Sequence, residues 1–89
     1  MTLRARAAAV RWGYLDVLTL ADVVITSAAP GGGPRRWTAT GVAGRVDPWR
    51  ATQGPLVLVV PHPGGAWRWA VVSQTVTAGR WVASVSREV

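Results

Sequence analysis

One histidine, four carboxylates and no cysteine are all that this 89-residue chain offers for acid–base, metal or nucleophilic chemistry. His62 stands between Pro61 and Pro63, in a turn-forming segment. A lone imidazole in such a place is far more often a solvated loop residue than a base or a ligand. Asp16, Asp22, Asp47 and Glu88 are dispersed, and no set of them has the convergent spacing that a metal ion requires. Asp16 and Asp22 fall on one extended segment, about 20 Å apart at the usual strand rise, which is too far for shared acid–base work. Ser73 or Ser84 could be grouped with His62 and Asp47 as a nucleophilic triad, but neither serine sits in a nucleophile-elbow sequence. Gly31-Gly32-Gly33 lacks the Gly-Lys-Ser/Thr ending of a phosphate loop, and Arg35-Arg36 follow where a helix would have to begin. The residue types therefore predict a protein that is not an enzyme, with no catalytic residue, no metal and no cofactor.

What remains is the chemistry of binding. Six tryptophans stand in a chain without phenylalanine: Trp12, Trp37, Trp49, Trp67, Trp69 and Trp81. About two or three of them must supply core volume in so small a domain. Of the rest, Trp67 and Trp69 share a strand face, and Trp49 lies in a loop beside Arg50. Tryptophan with arginine is the composition of protein-interface hot spots and of stacking platforms for single-stranded nucleic acid. The protein interface is the preferred reading, because nucleic-acid platforms more often carry Phe or Tyr flanked by Lys.

The ten basic residues are all arginine and outnumber the four acids, for a net charge of +6. Such a field suits an acidic partner surface or nucleic acid. Absence of Lys, Asn and Phe beside abundant Ala, Gly, Arg, Val and Trp is also the signature of GC-rich codon usage, so arginine identity alone is no phosphate signal. The arginines are spread along the chain, and only Arg4/Arg6/Arg11 and Arg35/Arg36 cluster. The candidate interface residues are thus Trp49, Arg50, Trp67 and Trp69, with Arg35, Arg36, Arg4, Arg6 and Arg11.

These residues must be positioned by short elements. Leu3, Ala7 and Val10 fall at helical spacing among good helix formers, so residues 1–13 are expected as a short N-terminal arm or helix. Residues 14–26 alternate, with Leu15, Val17, Thr19, Ala21, Val23 and Ile25 on one side and Asp16 and Asp22 on the other. That is long for one strand and predicts a bulge near Ala21–Asp22. Residues 27–35 are a Gly/Pro-rich loop. Alternation resumes over 35–46, where Gly41 and Gly44 predict strong curvature. The continuous apolar run 56–60 reads as a strand covered on both faces, so Val59→Asp is expected to unfold the domain. Residues 66–77 and 81–89 pair as a hairpin closed by Thr77-Ala78-Gly79-Arg80.

Short strands separated by Gly/Pro turns give an all-β fold: a single-domain β-barrel or sandwich of about five to six strands spanning residues 1–89. No apolar run approaches the roughly 20 residues that span a bilayer. The first residues, Met-Thr-Leu-Arg-Ala-Arg, lack the apolar stretch of a secretory signal, so neither membrane insertion nor secretion is expected.

The second half carries Pro55-Leu-Val-Leu-Val-Val, the Gly64-Gly65 turn, Ala66-Trp67-Arg68-Trp69-Ala70-Val71-Val72-Ser73, Gly79 and an alternating last strand ending Arg87-Glu88-Val89. In this it resembles the small β-barrel structural proteins of tailed-phage virions, the head–tail connector (stopper) and capsid-decoration types. The resemblance implies a non-catalytic subunit that cements capsid subunits or joins portal to tail. Its partners would be other protein subunits, including further copies of itself, and its location a virion assembled in the cytoplasm of a GC-rich bacterial host. A small-barrel protein binding single-stranded nucleic acid is the alternative, and a regulatory protein or toxin on an SH3-like barrel is a third reading.

Overall fold

The computed structural model describes residues 2–27, 36–46 and 55–87. Six strands lie in them: β1 (Thr2–Trp12), β2 (Leu15–Ser27), β3 (Arg36–Val46), β4 (Val57–His62), β5 (Gly65–Thr77) and β6 (Arg80–Arg87). They close into an antiparallel barrel in the order β1-β2-β3-β6-β5-β4. The chain therefore forms two three-stranded meanders of like connectivity, joined edge to edge by the β3–β6 and β1–β4 pairings.

Residues 2–12 are a barrel strand and not the expected arm or helix. Ala7, on the stripe that suggested a helix, is exposed, while Ala8 and Val10 are buried. A helix this short is marginal alone, whereas β2 offers a paired partner along nearly the whole segment.

Closing a barrel of so few strands demands sharp local bending, and the bends sit where the sequence permits them. At Ala21–Asp22 the β2–β3 register slips, as the length of the segment predicts, and Asp22 takes a φ of 51°. Both β1 and β2 change faces here. Leu3, Ala5, Val23 and Ile25 point inward on one side of the bend, Ala8, Val10, Leu18 and Leu20 on the other, and Arg6, Ala7, Ala21 and Asp22 are exposed between them. The face read for the residues before that bend is corrected in part: Thr19 and Ala21 face out, and Leu18 and Leu20 join Val17 in the core. Gly41 sits opposite this bend because a Cβ there would come within 3.2 Å of Val23 Cγ2 and 3.3 Å of the Ala21 carbonyl. At Gly44 the clash would be worse, 2.9 Å from Thr19 Oγ1, the atom that accepts a hydrogen bond from the Arg45 amide at 2.8 Å.

Among the described residues every buried side chain is apolar or tryptophan. The largest fully buried side chain is Trp81, and Leu18, Ile25, Leu58, Val10, Val17, Val23 and Val85 are fully buried in the same core. The Trp81 indole Nε1–H donates to Gln74 Oε1 at 3.0 Å, which satisfies the one polar atom that its burial would otherwise strand. Residues 56–60 are not covered on both faces: Leu56, Leu58 and Val60 are buried, and Val57 and Val59 are half-buried on the outside. The barrel wall is one sheet thick, so alternate residues must face out even in an apolar run.

The β5–β6 hairpin turn carries strain. Ala78 and Gly79 both have positive φ, 52° and 78°, the signature of a type I′ turn, which prefers Asn-Gly. Alanine in that conformation costs about 1 kcal/mol, so Ala78→Asn is expected to stabilise the barrel by roughly 0.5–1 kcal/mol. An unchanged or lowered urea midpoint for this variant would refute the turn assignment.

Candidate functional site

The strands bring one group of the predicted residues to a single end of the barrel, where β1, β3 and β5 begin and β2, β4 and β6 finish. At this end the β4–β5 hairpin closes with His62 opposite Gly65 and Val60 opposite Trp67. Side chains that pair across strands share a face, so His62, Trp67 and the buried Val60 lie on the inward side. His62 stacks on Trp67 with ring centroids 4.6 Å apart and a 32° tilt, and its Nδ1 accepts a hydrogen bond from the Gly64 amide at 3.1 Å. Trp67 in turn meets Trp69 edge-on at 6.5 Å. The aromatic stack therefore runs from solvent into the barrel: Trp67 is 42% exposed and Trp69 only 4%. Trp69 is a core residue, and its Nε1 is buried without a hydrogen-bond partner among the described residues.

Around this mouth, Arg4, Arg6, Arg36 and Arg68 project outward, all exposed. None of them makes an ion pair among the described residues. Arg11 has a different role at the other end. Its Nε lies 2.9 Å from Asp16 Oδ1, in an ion pair without hydrogen-bond alignment, and its Nη2 donates to the Tyr14 carbonyl at 3.0 Å. It braces the β1–β2 turn. With Arg11 a third exposed and Asp16 half exposed, solvent screens the pair, which is worth under about 1 kcal/mol. Arg35, Trp49 and Arg50 lie outside the described residues.

The chemistry of the rest is sparse. Among the described residues no three His, Asp or Glu side chains converge as metal ligands. Ser73 and Ser84 pair across β5 and β6 on the outer face, whereas His62 faces inward on β4, so the wall of the barrel separates either serine from His62; Asp47 lies outside the described residues. Asp22 lines a shallow groove of about 330 Å³ with Thr40, Gly41, Val42 and the Ala78–Arg80 turn, well away from Asp16.

Sequence reading missed a second surface altogether. The outer face of β3, β6 and β5 carries Thr38, Thr40 and Val42, then Val82 and Ser84, then Ser73 and Thr75, in cross-strand register. Val42 is 53% exposed, Val72 52% and Val82 39%. Val72 reaches this face through a bulge, the β5–β6 register slipping between Val71 and Ser73. Among the described residues its charges stand only at the margins, Arg80 at one corner and Arg36 and Arg68 toward the mouth, and the stretch between them is uncharged. Small hydroxyl or β-branched residues at every second position, Thr38, Thr40 and Val42 on β3 and Ser73, Thr75 and Thr77 on β5, were the available signal.

Comparison with family models, with curated proteins and with solved structures returns no match.

Proposed function

We propose that this barrel is a non-catalytic structural subunit of a larger assembly. The observation that carries the reading is the uncharged Ser/Thr/Val outer face of β3, β6 and β5, with three valines some 39–53% exposed. A solvated sheet face in a chain of net charge +6 would ordinarily be dressed with charge. A β-branched face left bare is suited to cover by another protein surface, and the basic rim beside it suits an acidic neighbour. Together with the resemblance of the second half to small phage barrels, this supports a virion role, as capsid decoration or head–tail connector. The aromatic stack with Arg68 and Arg36 beside it keeps single-stranded nucleic acid as the competing reading.

Light scattering after size exclusion separates the two. The assembly reading expects a homomeric complex indifferent to single-stranded DNA, and a Val82→Arg variant that retains the strand circular dichroism but elutes as a monomer. A wild-type monomer that shifts onto DNA at low salt and releases it log-linearly as salt rises would overturn it.

A further inference from the structure

The barrel is closed along β1 for only part of that strand's length. β1 pairs with β4 through Ala9–Val59, Val10–Leu58 and Arg11–Val57, and no further. Two features of the sequence part the strands beyond this point. The closing pair of a two-residue hairpin is hydrogen-bonded across, here His62–Gly65, so Pro61 turns its nitrogen away from β5 and toward β1. With no N–H to give, it ends the ladder. On the other side, β1 bends at Arg6–Ala7, where two successive residues are exposed. Among the described residues, residues 2–8 are therefore paired to β2 along one edge and to no strand along the other.

An unpaired strand edge is a row of backbone donors and acceptors at the spacing of another strand. Natural sheets protect such edges or use them, and the edge here is long enough for an added strand. It also offers both kinds of side-chain contact. Leu3 and Ala5 face inward, half-buried, toward the side on which the exposed Trp67 and the half-buried His62 stand; Arg4 and Arg6 face outward. Among the described residues neither arginine has an acidic partner, and Asp22, the residue facing Arg6 on β2, lines the groove toward β3 and Arg80 instead.

We infer that the free edge of β1 accepts an extended acidic segment from another protein as an added strand, with carboxylates placed opposite Arg4 and Arg6. Charge selects the occupant. A second copy of this chain pairing antiparallel over the same residues would set Arg4 opposite Arg6, or one of them opposite itself, and like charges in direct cross-strand contact are destabilising. A polynucleotide could answer the arginines but leaves the backbone edge unpaired. The inference rests on the assembly reading in that it names a partner subunit's segment, but it uses a different surface from the β3-β6-β5 face.

The test uses the whole protein with a fluorescein-labelled peptide of about ten residues alternating valine with glutamate, the length of a long strand. Saturable anisotropy is expected at up to millimolar peptide, with slowed amide exchange confined to residues 2–8. The doubly reversed variant, Arg4→Glu with Arg6→Glu, should bind this peptide roughly tenfold or more weakly, and a valine–lysine peptide in its place should be accepted by that variant. Val82→Arg should bind the Val/Glu peptide like wild type even though it no longer assembles, which keeps failure of the edge distinct from failure of the assembly face. Absence of saturable binding, equal binding by the reversed variant, or exchange protection elsewhere on the barrel would each overturn the inference. So would binding of oligothymidylate at residues 2–8 in preference to the peptide.

Discussion

Replacing Trp81 by alanine is expected to remove about 3–5 kcal/mol of stability, the usual cost of emptying a large aromatic site. For a domain whose whole stability is of order 5–10 kcal/mol, that leaves a partly unfolded population at room temperature. The size of the effect follows from where Trp81 lies. It is fully buried, it sits against the bend at Gly41 and Val23, and its Nε1–H is tied to Gln74. Neighbouring β-strands cannot collapse into the void without breaking the ladders on either side of β6. Trp81→Phe keeps most of the ring volume and forfeits the hydrogen bond, so its cost should be about 1–2 kcal/mol. Urea denaturation of both variants checks the pair; an alanine variant within about 1 kcal/mol of wild type would show that the core is organised around some other residue.

The second large effect discriminates between adjacent residues of β4. Leu58→Asp buries a carboxylate in an interior that holds no buried polar or charged residue among those described, and Leu58 has no exposed surface. The penalty, several kcal/mol, should abolish the cooperative transition. Val59→Asp, one residue along, places the same carboxylate on the half-buried outside, where water and the arginine opposite it on β5, Arg68, can reach it. That variant should fold, with a loss of roughly 1–2 kcal/mol. Parallel circular dichroism melts of the two decide it. If both unfold, the outer side of β4 is covered by something that the barrel wall does not account for.

This contrast also marks how far the sequence could be read. Strand alternation was legible in residues 36–46 and 66–71, where Ala39 and Gly41 face in against Thr38 and Val42, and Trp69 faces in against Arg68. It failed where one periodicity serves two faces. Along β2 the bend at Asp22 flips the inward set from Val23 and Ile25 to Leu18 and Leu20, and no local residue type announces which side wins. In β4 an unbroken apolar run is ambiguous between a strand covered twice and a barrel stave with a greasy exterior. β1 was the largest miss, since Ala-rich sequence satisfies helical spacing and only the presence of β2 decides against it.

The candidate site was legible in part for a similar reason. Residue type alone singled out Trp67 and the outward arginines. Which tryptophan was core depended on depth along the barrel axis: Trp69 and Trp81 are enclosed, whereas Trp67, two residues from Trp69 on the same face, emerges at the mouth. The free β1 edge has no sequence signature beyond Pro61, because it is defined by pairing that stops.

The two meanders also fix an order of events. Within each, consecutive strands are sequence neighbours, so their ladders close small loops and form early. The joins between them are distant in sequence: Ala39 finds Ala83, and Ala9 finds Val59. The β3–β6 join extends over seven consecutive residues, from Arg36 to Val42, and can commit the halves to each other; the β1–β4 join holds three pairs and completes the circle. A chain built this way is expected to pass to the native state through a curled, open sheet with its ends not yet met, with amide protection at Ala9–Arg11 arising last. The last clasp to fasten is also the first to come undone, and it lies at the margin of the unpaired β1 edge.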